Sequence, residues 1–250
     1  MANIIAVTNQ KGGVGKTTTT INVAYNLAKS GKSVLLVDLD PQGNASSGLS
    51  VSKTKHTTRD VLSNKVSLDE AVQSTVYKNL SVLATDAELA TLETEIATAK
   101  DRAIRLKKVL TDSSYDVILI DCPPSLGLLT VNALTASQSV IIPVQTEYYA
   151  LEGLGQLLET MKLVRQALNP RLAILGVVMT MHNSRTTLSA QVEEQLRKNF
   201  KERLFETVVP RNIRVAEAPS HGKPVGEYDK WSKGARAYKL LSKEVMERLS

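Results

Sequence analysis

The chain has 250 residues, 42% of them hydrophobic and 22% charged, which is enough for one sizeable α/β core and ordinary for a soluble globular protein. Its single cysteine, Cys122, excludes a disulfide framework and any cysteine-rich metal site built within one chain, and no apolar run approaches the length of a membrane span. The formal net charge of +6 is unevenly placed: from Arg211 onward nine Lys/Arg face five Asp/Glu, while residues 61–120 carry seven against nine, so a polyanionic partner is expected toward the C-terminal third.

With two Phe and one Trp the core must be aliphatic, which suits a buried parallel sheet. The first predicted element is an apolar strand, Ile4–Thr8. No basic stretch stands before it, so no secretory leader is expected and a cytoplasmic setting follows. Residues Lys16–Ser30 have helical spacing (Ile21, Tyr25, Ala28) and stop at Gly31. Val34–Leu39 reads as a strand buried on both faces. The stretch 44–75, rich in Ser, Thr and Lys, is the least regular, with short helices predicted near 58–63 and 67–74. Further strands are predicted at Val117–Ile120, Val140–Val144 and Leu172–Met179, with helices at about 101–111, 126–136, 151–168, 186–199 and 233–249. Strand and helix alternate without a repeat or low-complexity tract. The expected fold is α/β: one domain over residues 1–250, with a mostly parallel twisted sheet covered by helices on both faces.

Between the first strand and first helix, residues 10–18 read Gln-Lys-Gly-Gly-Val-Gly-Lys-Thr-Thr. Strand, glycine-rich loop and helix N-terminus together make a phosphate cradle. Gly12, Gly13 and Gly15, with Val14 between them, let backbone N–H groups turn inward, and the helix adds its positive end. Lys16 is placed to meet the β- and γ-phosphates, Thr17 to bind Mg²⁺, and Thr18 to bond the α-phosphate. The usual loop has glycine five positions before Gly15, where this chain has Gln10; a second lysine, Lys11, precedes the glycine pair instead. Two acidic residues, Asp38 and Asp40, stand at the carboxyl end of the second strand, the edge at which open α/β sheets bind ligands, and their alternate spacing puts both on one side. The third strand ends in Asp121-Cys122-Pro123-Pro124.

The run Lys-Gly-Gly-x-Gly-Lys-Thr-Thr resembles the deviant Walker A motif of the ParA/MinD family of P-loop ATPases. That resemblance implies ATP and Mg²⁺ as cofactors and an ATP-driven homodimer in which Lys11 reaches the partner's nucleotide, doing what an arginine finger does elsewhere. It also implies that Asp40 orients the attacking water and helps hold hydrated Mg²⁺, with Asp38 in support. Asp121 looks like the family's Walker B residue, binding Mg²⁺ through water, and Pro123 and Pro124 stiffen the switch that senses the γ-phosphate. Cys122 lies in that switch but reads as a small buried thiol. Iron–sulfur carriers of the superfamily use paired cysteines across a dimer, two per chain, and this chain has one.

Residues 208–224, Val-Val-Pro-Arg-Asn-Ile-Arg-Val-Ala-Glu-Ala-Pro-Ser-His-Gly-Lys-Pro, resemble the matching stretch of chromosomal ParA/Soj proteins, as do residues 143–153, expected at or near a dimer interface. The first resemblance places Pro210 and Asn212 against adenine, with Met181 closing the other side. It carries non-specific double-stranded DNA contacts onto Arg185 and Arg214, and Lys230, Lys233 and Arg236 extend that surface. No helix-turn-helix extension precedes Met1, so sequence-specific operator binding is not expected. The resemblance implies a slow partition ATPase of the nucleoid, stimulated by a ParB-type centromere-binding protein and independent of membranes. Two alternatives share its chemistry: a MinD-like membrane switch docking through an amphipathic last helix, and an orphan ParA positioning a protein cargo. The apolar stripe of that helix (Tyr238, Leu241, Val245, Leu249) is better explained by core packing.

Overall fold

A computed structural model describes residues 2–51, 54–147 and 150–249, without the side chains of 150–152. In chain order the elements are β1 (Asn3–Val7), α1 (Lys16–Lys29), β2 (Val34–Asp38), α2 (Asn44–Ser47), α3 (Thr58–Leu62), α4 (Leu68–Ala71), β3 (Gln73–Ser74) and β4 (Leu80–Leu83). There follow α5 (Leu89–Glu95), α6 (Arg105–Leu110), β5 (Val117–Asp121), α7 (Leu128–Ala136), β6 (Ser139–Gln145), α8 (Ala150–Ala167) and β7 (Ala173–Thr180). The last are α9 (Thr187–Phe200), α10 (Ile213–Glu217), α11 (Val225–Tyr228) and α12 (Lys233–Leu249).

The strands form one seven-stranded sheet in the order β3-β4-β2-β5-β1-β6-β7. Every pairing is parallel except the two-residue edge strand β3 against β4. Because the central strands run the same way, their carboxyl ends share one edge. Val7 and Asp38 both lie in register with Asp121, so the residues after β1, at the end of β2 and at the end of β5 are brought together there.

Strand parity divides the core. Ile4, Ala6, Leu35, Val37, Ile118 and Ile120 face one side with Leu106 of α6, Leu129 of α7, Leu157 of α8 and Leu196 of α9. Ile5, Val7, Val34, Leu36, Val117 and Leu119 face the other, with Ile21 and Leu27 of α1 and Tyr238, Leu241 and Val245 of α12. Burial on both faces is why these strands read as continuous apolar runs. The stripe of α12 is core: Tyr238, Leu241 and Val245 are at most 1% exposed, and Leu249 is partly buried against the same cluster. At about 1.5–3 kcal/mol per buried side chain, packing on α1 accounts for this stripe.

Three parts differ from the sequence expectation. The sheet has seven strands rather than five, the additions being β3 and the four-residue β4, which lies parallel to β2. The helix expected over 101–111 is regular only from Arg105, and that expected near 67–74 stops at Ala71, where the chain enters β3. Short helices α2, α5, α10 and α11 lie where none was expected.

Candidate nucleotide site

The loop after β1 turns because glycine allows it: Gly13 and Gly15 have φ of 73° and 85°, in the left-handed region. Its position is fixed from β7, where the Thr180 hydroxyl donates to the Val14 carbonyl at 2.8 Å. Loop and sheet edge enclose a cavity of about 510 Å³, within the range of small-molecule sites. Gly12, Gly13, Gly15, Lys16, Thr17 and Thr18 line its polar end with Asp40 and Pro124. Its other end is apolar, walled by Met181, Val209, Pro210, Val215 and Tyr238, with Asn212 and Arg211 at the rim.

Lys16 is 6% exposed, and its ammonium donates to the Lys11 carbonyl at 3.4 Å. Burial lowers its pKa, while the carboxyls of Asp121 and Asp40 act in the opposite direction. Asp121 is fully buried and accepts the Thr17 hydroxyl at 2.7 Å and the Thr20 hydroxyl at 3.1 Å. Its pKa is raised, first by burial and then by Asp38. A divalent cation beside it would reverse that balance by favouring the carboxylate. Among the described residues no group of three or more His, Cys, Asp and Glu forms a cage for a metal. Hydroxyl and carboxylate oxygens of Thr17, Asp121 and Asp40, few and hard, fit Mg²⁺, which keeps several waters and takes its remaining ligands from phosphates.

Asp40 lines the cavity; Asp38 and Asp121 do not, Asp121 lying fully buried behind Thr17. The Asp38 carboxylate is fully buried and accepts from the Ser46 N–H at 2.8 Å, the Ser46 hydroxyl at 2.7 Å and the Asp40 N–H at 3.2 Å. It ties the Asp40 turn to the start of α2, and burial raises its pKa as well. Cys122 is buried, its thiol pushed far up by burial, which makes it unreactive. Pro124 of the switch lines the cavity, whereas Pro123 and Val14 do not.

Met181 adopts φ of 47°, rare for a side-chain-bearing residue, where β7 ends. The next residue is stitched to the far wall: the His182 N–H donates to the Val209 carbonyl, and the Arg211 N–H donates to the His182 carbonyl, both at 3.1 Å. This pairing brings Met181 and Pro210 to the same cavity from distant parts of the chain. The Asn212 side chain caps α10, accepting from the Val215 N–H at 3.3 Å. Sequence reading did not single out Thr180, Gln42, Asn44 or Tyr238; Tyr238 was visible only as part of an apolar stripe.

Lys11 lies outside the cavity lining. Its ammonium is 3.3 Å from Glu147, which also faces Arg211 at 3.8 Å and accepts from the Gln145 side-chain amide. Within the expected interface segment, Tyr148 and Tyr149 lie outside the described residues. Of the expected DNA contacts, Arg185 is exposed on the turn before α9, while Arg214 is ion-paired to Glu217 at 2.9 Å and Asp229 at 3.4 Å. Lys230, Lys233 and Arg236 are exposed around the start of α12.

A phosphate loop at the carboxyl edge of a parallel sheet, with a buried aspartate bonded to the loop threonine and a second lysine before the glycine pair, defines a P-loop nucleoside triphosphatase of the deviant Walker type. A family model described as an AAA domain matches residues 2–174. The chain is 53% identical over 249 residues to the sporulation initiation inhibitor protein Soj of Bacillus subtilis, covering 98% of both chains. It is 47% identical over 251 residues to the chromosome partitioning protein ParA of Caulobacter vibrioides, covering 98% of this chain and 94% of that one. A solved structure titled cobyrinic acid a,c-diamide synthase from Mycobacterium smegmatis, with bound ADP and magnesium, superposes with a TM-score of 0.87 at 36% identity, covering 100% of this chain and 96% of that one. The chain belongs to the ParA/Soj family of chromosome-partitioning ATPases.

Proposed function

We propose that the chain binds ATP with Mg²⁺ in this cavity, closes into a homodimer, and in that state binds double-stranded DNA without sequence preference. A ParB-type centromere-binding protein then stimulates hydrolysis and releases it. The observation that carries the reading is the division of the two loop lysines. Lys16 is buried at the polar end of the cavity, whereas Lys11 lies outside the lining, half-buried and paired with Glu147 at 3.3 Å, so it is not committed to its own nucleotide.

In this reading Lys16 and the loop N–H groups hold the β- and γ-phosphates, Thr18 the α-phosphate, and Met181, Pro210 and Asn212 border the base. Thr17, with Asp121 and Asp40 through water, holds the cation. Bound Mg²⁺ supplies charge neutralisation on the transferring phosphoryl group. Asp40 orients the attacking water, Asp38 fixes Asp40 through its backbone, and the Pro123-Pro124 turn senses the γ-phosphate. Lys11 completes the partner's site, so basal turnover is slow. Arg185, Arg214, Lys230, Lys233 and Arg236 supply the duplex contacts. The whole of residues 1–250 acts as one ATPase domain, cytoplasmic and nucleoid-associated.

Identity of 53% to Soj against 36% to the diamide synthase favours partition over an amide-forming activity on the same fold. A MinD-like membrane switch is disfavoured because the apolar face of α12 is buried on α1. No helix among the described residues is long and apolar enough to cross a membrane. An orphan ParA moving a protein cargo would use the same ATPase with a different adaptor.

The test is binding to a random-sequence duplex with ATP, with ADP and without nucleotide, over a salt series. The expected result is ATP-dependent binding with a steep salt slope, lost in Lys16→Ala and Arg214→Ala and retained or prolonged in Asp40→Ala. Absence of ATP-dependent binding at low salt overturns the reading.

A further inference from the structure

A second cleft, about 840 Å³, lies between the C-terminal end of α1 and the outer face of α12. Lys29 of α1, Lys230 and Trp231 of the loop before α12, and Arg236, Lys239 and Lys243 of α12 line it. Five lining residues are cationic and none is acidic. Two carboxylates lie near it, and Lys29 is linked to one of them through Tyr25, whose hydroxyl accepts from the Lys29 ammonium at 3.0 Å. Glu247 meets Lys243 at 3.6 Å in an exposed pair of little strength, and Glu227 accepts the Tyr25 hydroxyl at 2.8 Å.

Two features make this more than a solvated basic face. The three cations of α12 are spaced i, i+3, i+7, a row on one side of the helix with steps of about 4.5 and 6 Å along its axis. Such a row matches a chain of phosphates better than a single anion. Trp231 is 73% exposed at the cleft, and the Lys230 ammonium sits 5.6 Å from its ring centroid. A large flat ring left in water beside a row of cations is the pairing of groups that holds unstacked bases.

We propose that this cleft binds single-stranded nucleic acid, with Trp231 stacking on a base and Lys29, Arg236, Lys239 and Lys243 holding the backbone phosphates. A duplex fits less well: its base faces are covered by stacking, and the cleft volume is that of a small-ligand site. An acidic peptide would use the cations but gives the ring no face to stack on. This activity shares Lys230 and Arg236 with the duplex surface proposed above, but it differs in its ligand and needs no ATP.

Trp231 is the only tryptophan of the chain, so intrinsic fluorescence reports the site directly. The full-length protein without nucleotide is titrated with a short oligothymidylate, a duplex of equal length, and polyglutamate. Saturable quenching by the oligothymidylate is expected, weakening with salt by a log–log slope of about −0.7 per phosphate engaged. The double variant Lys239→Glu, Lys243→Glu should bind about tenfold or more weakly, from the loss of two such contacts, with its melting temperature unchanged. Trp231→Ala, followed by anisotropy of a labelled strand, should lose affinity that Trp231→Phe partly restores. Lys16→Ala should quench like the parent while losing ATP-dependent duplex binding, which separates this proposal from the preceding one. Absence of quenching, or equal or tighter quenching by the duplex or by polyglutamate, overturns the assignment.

Discussion

Replacing Asp121 by Asn separates what the buried carboxylate does for the fold from what it does for a cation. Both Asp121 oxygens accept threonine hydroxyls, and the side chain has no exposure. The amide nitrogen of Asn donates and cannot accept, so one of the two hydroxyl bonds must reverse, the Thr20 oxygen accepting while its proton stays on the Lys16 carbonyl, or be lost, at a cost of at most about 1 kcal/mol. Against this, Asn has no charge to desolvate. Burial raises the folded pKa of Asp121 above its unfolded value, so as pH rises through that interval the unfolded chain releases its proton first and stability falls. At neutral pH the parent therefore carries a penalty that Asp121→Asn lacks. The two effects leave the ligand-free variant no more than about 1 kcal/mol below the parent, or above it, a melting temperature at most about 2–4 °C lower. With Mg²⁺–ADP at a hundredfold over Kd, the parent gains about 2.7 kcal/mol. The variant should lose the Mg²⁺-dependent part of that gain. Thermal melting with and without ADP and Mg²⁺ measures both. A ligand-free loss above about 3 kcal/mol, the size expected from breaking a buried charged network, would refute the balance drawn here. Full retention of the Mg²⁺-dependent shift would remove Asp121 from the metal site.

Thr180→Val deletes the hydroxyl that pins the Val14 carbonyl and should cost about 1–3 kcal/mol, appearing as weaker nucleotide binding by calorimetry; unchanged affinity would show that the loop holds itself. Glu217→Gln releases Arg214 from its shorter ion pair, so duplex affinity should rise and the salt slope steepen by up to about 0.9; no change would place Arg214 off the DNA path. Glu147→Gln breaks exposed contacts to Lys11 and Arg211, altering stability by less than about 1 kcal/mol. Light scattering should then show ATP-driven dimerisation at lower protein concentration, and an unmoved midpoint would mean that Glu147 does not restrain Lys11.

The central fold was legible because β1, β2 and β5 are apolar runs apart from Asn3, Asp38 and Asp121 at their ends, which burial on both sheet faces explains. The phosphate loop was legible because its chemistry is local, nine consecutive residues between a strand and a helix. What escaped was short or assembled from afar. β4 is four residues, too few to show a period, and it is a strand because β2 offers a parallel partner. The apolar end of the cavity depends on the His182–Pro210 bridge, which joins segments that local spacing cannot relate. Asp38 and Asp40 look equivalent in sequence, and only Ser46, eight residues after Asp38, decides which one turns away from the cavity. The engagement of Arg214 by Asp229 is likewise a tertiary fact.

Under the proposed function, the electrostatics of the edge would tie nucleotide binding to the switch. Burial disfavours charge on Lys16, on Asp121 and on Asp38, so the fold holds three ionisable groups away from their preferred states around one loop. A polyphosphate offsets the cost at Lys16, and a divalent cation offsets it at Asp121, which makes the pair of ligands bind better together than either alone. Asp38 has a different remedy, three hydrogen bonds from Ser46 and Asp40, and that remedy fixes the turn carrying Asp40. A backbone movement of the Asp40 turn would therefore strain or break the Asp40 N–H bond to a fully buried carboxylate. A switch using a backbone shift of that turn would favour discrete positions over a continuum, because a half-broken set of bonds to Asp38 leaves a buried carboxylate poorly satisfied.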